Sequence, residues 1–144
     1  MGDVYDTQTR RRVMQSIRKT DTRPEIRVRR VLHRLGYRFR LHRRDLPGIP
    51  DIVLPKHKIV IFVHGCFWHQ HTCPLGKLPK SNRKYWVPKL RANAERDATH
   101  AAELRQLNWK VIAFWECEVQ TEQSIERLIR RKLRRWARPR AARR

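Results

Sequence analysis

Ile59-Val60-Ile61-Phe62-Val63-His64-Gly65-Cys66-Phe67-Trp68-His69-Gln70-His71-Thr72-Cys73 passes from an apolar, β-branched run into a loop crowded with thiol and imidazole groups. The run 59–63 lacks alternating polar residues, the pattern of a central strand covered on both faces. The loop offers Cys66, His71 and Cys73. The remaining cysteine, Cys117, follows a second apolar run, Trp109-Lys110-Val111-Ile112-Ala113-Phe114-Trp115. Three thiolates and one imidazole form a usual closed sphere for structural zinc, an ion these donors suit better than Mg²⁺ or Ca²⁺. Such a site would staple the loop to the end of a distant strand. Read without a metal, the same cysteines are small apolar core residues. An odd cysteine number and no apolar leader at Met1–Asp6 argue against disulfides and for a reducing, cytoplasmic setting.

Upstream, Asp21-Thr22 and Pro24 mark a helix start; Val28, Val31, Leu32 and Leu35 recur at helical spacing, and Gly36 stops the helix. Tyr37 to His42 alternates like a half-buried strand, Leu46-Pro47-Gly48-Ile49-Pro50 turns the chain, and Asp51 to Leu54 is a second strand, tightly connected to the central one. Downstream, a long helix is expected from about Tyr85 to Leu107, with Leu90, Ala94, Ala101, Leu104 and Leu107 near one stripe. Pro88 is tolerable only in its first turn. A last helix from Glu122 to Trp136 would set Ile125, Leu128, Ile129, Leu133 and Trp136 on one face. The order α, β, β, β, α, β, α fits an α/β fold with a mixed sheet flanked by helices.

A chain of 144 residues suits one domain, assigned here to 21–137. No apolar run approaches the ~20 residues of a membrane span, so no membrane association is expected. The 35 Lys and Arg against 13 Asp and Glu leave a formal charge of +22, a self-repulsion that a polyanion would relieve. Nucleic acid is the obvious one. Basic residues gather at both ends: Arg10-Arg11-Arg12 lies in a segment, 1–20, read as a DNA-contacting arm, and Arg130 to Arg144 holds nine basic residues and no acidic one, ending in a basic tail at 138–144. Binding should fall steeply with salt. On charge alone, a ribosomal or chromatin-like role and an unpartnered tail stay open.

Pro50-Asp51 puts a carboxylate at the start of one strand, beside the end of its hairpin partner, where Mg²⁺ could be held by oxygen ligands and retained waters; turn chemistry explains the dipeptide equally well. His64 and His69 flank the metal loop, and either could move a proton near neutral pH. His69, between two pinned residues, would have its orientation fixed. Glu25 and Asp97 could orient a histidine, or be ordinary solvated acids. Phe67, Trp68 and Trp86 are either apolar wedges between base steps or core residues under the loop.

Together, Leu46-Pro47-Gly48-x-Pro50-Asp51, the string His64-Gly65-Cys66-Phe67-Trp68-His69-x-His71-x-Cys73, Asn93-x-Glu95-Arg96-Asp97 and Trp115-Glu116-Cys117 resemble the very-short-patch-repair (Vsr) DNA mismatch endonucleases over nearly the whole chain. The resemblance implies a restriction-endonuclease-like core, a structural zinc, and Mg²⁺-dependent nicking 5′ of the thymine in T:G mismatches left by deamination of 5-methylcytosine. It makes Asp51 the Mg²⁺ ligand with the backbone carbonyl of Val63, His69 the general base, His64 a neighbour of the scissile phosphate, and Glu25 and Asp97 supporting carboxylates. Cys66, His71, Cys73 and Cys117 match the zinc sphere. Phe67, Trp68 and Trp86 match a major-groove wedge, Met14 an arm residue inserting from the minor groove, and Lys89 and Asn93 the readers of the mismatched pair. Val63 departs from an expected Thr, but a carbonyl ligand needs no hydroxyl. The Arg-rich C-terminal extension does not map onto the family motif. Mismatch-repair proteins are candidate partners, a monomer is the default, and a bacterial-type, nucleoid-associated cytoplasmic location follows. The alternatives are a zinc-stapled DNA-binding module without catalysis and a nuclease of the same fold with another DNA substrate.

Overall fold

The computed structural model describes residues 21–136. The expected arm with Met14, and the tail at 138–144, lie outside the described residues. Element order is α1 (Arg23–Arg34), β1 (Arg40–Leu41), β2 (Ile52–Leu54), β3 (Ile59–His64), α2 (Arg83–Gln106), β4 (Lys110–Trp115) and α3 (Glu122–Lys132). The strands form one mixed sheet in the order β1-β2-β3-β4, antiparallel except for the parallel pair β3 and β4. That parallel joint spans the whole of α2, as a crossover helix requires.

Each helix end has a local cause. Thr22 caps α1 by accepting from the Glu25 N–H, Pro24 sits in the first turn, and Gly36 follows at φ 91°. Thr121 and Ser124 cap α3 reciprocally. The strands alternate strictly. Ile52, Leu54, Ile59, Ile61, Val63, Ile112 and Phe114 face α1 and α3 in the main core, which includes Val28, Leu32, Ile125 and Ile129. Val53 and Val60 belong to a smaller cluster with Leu46, Leu104 and Trp109, and Val111 and Phe62 pack against it.

Some expected boundaries move. The strand over 37–42 shrinks to Arg40–Leu41, because Tyr37 and Phe39 turn into the main core instead of pairing. The long helix starts at Arg83, so Pro88 falls in its second turn, leaving the Lys84 carbonyl without a helical donor at an exposed site where water can serve. Leu107 is exposed rather than part of the buried stripe. The last helix ends at Lys132, and Trp136 is 41% exposed instead of sharing the buried face of Ile125, Leu128, Ile129 and Leu133. β4 is an edge strand, and Lys132 Nζ covers its Ala113 carbonyl at 2.9 Å.

Candidate functional site

At the C-terminal ends of β3 and β4, the two apolar runs deliver their loops side by side. After His64 the chain turns back through His69 N–H to Gly65 carbonyl (3.1 Å) and His71 N–H to Cys66 carbonyl (3.0 Å), with Gln70 in the left-handed region. Gly76 closes the loop against the His71 carbonyl so tightly that a Cβ there would lie 1.9 Å from the oxygen. Donor atoms of Cys66, His71, Cys73 and Cys117 all lie within 4.8 Å of one another. His71 Nδ1 is 3.4 Å from Cys117 Sγ, and the Cys117 N–H points at Cys66 Sγ, also at 3.4 Å. Trp115 stacks on His71 at 4.2 Å and fixes the ring. Burial pushes the Cys66 thiol up to about 12; Cys73, despite its own desolvation, is drawn down to about 6 by hydrogen bonding to His71 and the other thiols. This donor set fits a tetrahedral metal, whose ligands would stand roughly 3.5 Å apart.

The second group gathers in a groove between α2, the start of α1 and the sheet. Asp51 Oδ2 accepts a hydrogen bond from the Val63 N–H at 2.7 Å. In a strand, a residue's N–H and carbonyl point to the same side, so the Val63 carbonyl is directed toward the edge that Asp51 occupies. Glu25, only 2% exposed, is no solvated acid: its carboxyl contacts that of Asp51 and is held by Arg29 Nη2 (3.1 Å), the Asp21 N–H (3.0 Å) and His42 Nε2 (3.2 Å). Burial, then the Glu25 charge, pushes Asp51 up to about 7. Two touching carboxyls cannot both ionise cheaply without a cation or proton between them, so this pair fits a hard divalent ion.

His64 and His69 lie 4.0 Å apart by ring centroids, and His69 Nδ1 pairs with Asp97 Oδ2 from α2. With Nδ1 donating to that carboxylate, Nε2 is the basic nitrogen. Burial and then His69 hold His64 down to about 4, which keeps it neutral near pH 7. Phe67 and Trp68 meet edge to face at 5.3 Å, and Trp86 contacts both from a site only 3% exposed. Lys89 Nζ sits 6.0 Å from the Trp68 ring, and Asn93 Nδ2 donates to the Trp68 carbonyl at 3.3 Å. The groove therefore brings together the described site candidates other than the four metal donors, and those donors brace its loop. Sequence reasoning missed Arg29 and His42, which hold Glu25; both looked like members of a basic surface, and no local pattern marks them.

Comparison with known proteins agrees with this geometry. A sequence-family model described as "DNA mismatch endonuclease Vsr" matches residues 2–75. The chain is 50% identical over 130 residues, 90% of its length and 96% of the relative's, to "Type II nicking enzyme V.XorIIP" of Xanthomonas oryzae pv. oryzae. It is 42% identical over 134 residues, again 90% and 96% of the two chains, to "Type II nicking enzyme V.NmeAIP" of Neisseria meningitidis. Against "DNA mismatch endonuclease Vsr" of Escherichia coli, identity is 37% over 137 residues, 94% of this chain and 88% of the relative. The protein is thus a DNA endonuclease. Within that class, the chain belongs to the Vsr DNA mismatch endonuclease family.

Proposed function

We propose that this endonuclease nicks one strand of duplex DNA 5′ of the thymine in T:G mismatches, initiating repair of deaminated 5-methylcytosine. The reading is carried by the convergence of Asp51, Glu25, His64, His69 and Asp97 in one groove of a strongly basic Vsr-family chain. Asp51 and the Val63 carbonyl would hold Mg²⁺, which would supply positive charge beside the scissile phosphate and lower the pKa of a nearby water. His69, oriented by Asp97, takes the proton of that water on Nε2. Neutral His64 beside it hydrogen-bonds the phosphate, and Glu25 orients the water. Cys66, His71, Cys73 and Cys117 would hold Zn²⁺, which would keep Phe67, Trp68 and His69 in place between its ligands without entering the chemistry.

Phe67 and Trp68, backed by Trp86, enter the base stack from the major groove, where a mispaired step costs less to open. Met14 on the arm of residues 1–20 enters from the other side, and Lys89 and Asn93 read the mismatched pair. The core is restriction-endonuclease-like, with 21–137 as the endonuclease domain and the basic tail 138–144 adding phosphate contacts. The enzyme acts as a monomer in a bacterial cytoplasm, with mismatch-repair proteins as candidate partners.

Nicking of an end-labelled T:G duplex with Mg²⁺, beside a T:A duplex, an EDTA control and the Asp51→Ala protein, tests the reading. Metal-dependent nicking 5′ of the mismatched thymine, lost in Asp51→Ala, is expected. Equal cleavage of both duplexes would remove mismatch specificity, and full activity of Asp51→Ala would remove the catalytic assignment.

A further inference from the structure

Glu25 and Asp51 come from different elements, the first turn of α1 and the residue before β2, yet their carboxyls touch. Most bonds that hold Glu25 are local to its own helix start. The Asp21 N–H and Arg29 Nη2 both donate to Oε2, and Arg29 Nη2 also binds Asp21 Oδ1 at 2.6 Å. These fix the carboxylate relative to α1 and say nothing about its distance from the sheet. His42 is different. The antiparallel register Leu41↔Ile52 brings it opposite Asp51, whose carbonyl accepts the His42 N–H at 3.3 Å. Its Nε2 reaches Glu25 Oε2 at 3.2 Å. One residue thereby holds the backbone of one carboxylate and the side chain of the other.

Its backbone suits the task. His42 sits at φ 48°, in the left-handed region that histidine visits more readily than most side chains, just where β1 ends. All three donors named for the Glu25 carboxylate fall on Oε2. His42 itself lines the groove.

We propose that His42 is a positioning residue that sets the spacing of Glu25 and Asp51, and hence the affinity and geometry of the divalent-cation site at Asp51 that Glu25 adjoins. The proposal rests on the catalytic reading of those two carboxylates. His42→Gly removes the imidazole while keeping a backbone that glycine adopts without strain. His42→Gln restores a donor of similar reach. For His42→Gly we expect KM for the T:G duplex within about twofold of the parent and a single-turnover nicking rate lower by about 10- to 100-fold, the scale of a lost hydrogen bond to a charged group. Binding of Mn²⁺ alone, followed by EPR, should weaken several-fold without DNA present. His42→Gln should recover most of both losses at an unchanged Tm.

Parental rate and Mn²⁺ affinity in His42→Gly would overturn the proposal. So would a loss that tracks a fall in Tm and that His42→Gln does not recover. Asp51→Ala, run alongside, separates the failures: an inactive Asp51→Ala beside a fully active His42→Gly discards only the role of His42, whereas an active Asp51→Ala discards the carboxylate centre and the proposal with it.

Discussion

Among the described residues, one face of the sheet is closed by α1 and α3 over sixteen mutually packed buried residues, among them Leu32, Ile61, Phe114 and Ile129; the other is covered by α2 over a cluster of five. The helices differ accordingly. α1 and α3 each bury a continuous stripe, whereas α2, twice as long, fully buries only Trp86, Leu90 and Leu104. Freed from covering the sheet, α2 spends its middle turns on Lys89, Asn93 and Asp97, which face the groove. Strand alternation assigns the chemistry to the same sparse face: Phe62 stacks on His64 there and Trp115 meets His64 at a tilt, one pleat apart from the main core. Apart from Glu25, which α1 contributes from its first turn, stability and reactivity are thus separated by the thickness of one sheet.

The largest test of that separation is removal of the metal proposed for the Cys66, His71, Cys73 and Cys117 donor set. Structural zinc contributes about 10–16 kcal/mol in small domains, as much as the whole stability of many folds. Chelation is therefore expected to collapse the sparse face first, and most of the cooperative melt with it, as followed by circular dichroism with the zinc content assayed. An unchanged melt after verified loss of metal would mean the main core stands alone. Next in size, Phe114→Ala should cost about 3–5 kcal/mol in urea denaturation and Leu104→Ala about 2–3, because the open side can relax around the deletion. The reverse ranking would break the comparison.

The smallest effect concerns pH. Asp51, raised to about 7, favours the folded state when protonated, so its contribution is full below about pH 4 and lost as pH rises through 7. His64, lowered to about 4, has the opposite sign: its contribution is present above about 6.5 and is lost as pH falls. The two nearly offset in zinc-loaded, Mg²⁺-free parent protein between pH 7.5 and 5.5. In Asp51→Asn only the His64 part survives, so acidification over that window should destabilise the variant by about 2 kcal/mol relative to the parent. Chemical denaturation at both pH values gives the comparison, and equal pH responses would mean that Asp51 titrates normally.

Elements defined by their own residues were legible in the sequence. The run 59–63 became the central strand, Asp21 to Gly36 framed α1, and the four metal donors met because two apolar runs ended beside each other. What escaped depended on other elements. Nothing near Glu25 announces that it is buried, since its partner His42 arrives from β1 and Asp51 from β2. Asp97 reads in the sequence as an acid able to orient a histidine, but its meeting with His69 needs the loop after β3 and the fifth turn of α2 in register. Trp136 looked like a helix-face residue by spacing, yet the helix stops at Lys132 and spacing no longer applies.

The parallel joint of β3 and β4 also imposes a timetable. Ile59 pairs with Lys110 and His64 with Trp115, so during synthesis the first half of the sheet waits with one edge open until the whole of α2 and β4 has left the ribosome. Cys117 follows immediately behind. With the proposed metal bound, the last donor to emerge is thus the one that locks the joint just formed, and a cell short of that metal would accumulate chains whose edge had closed but never been fastened.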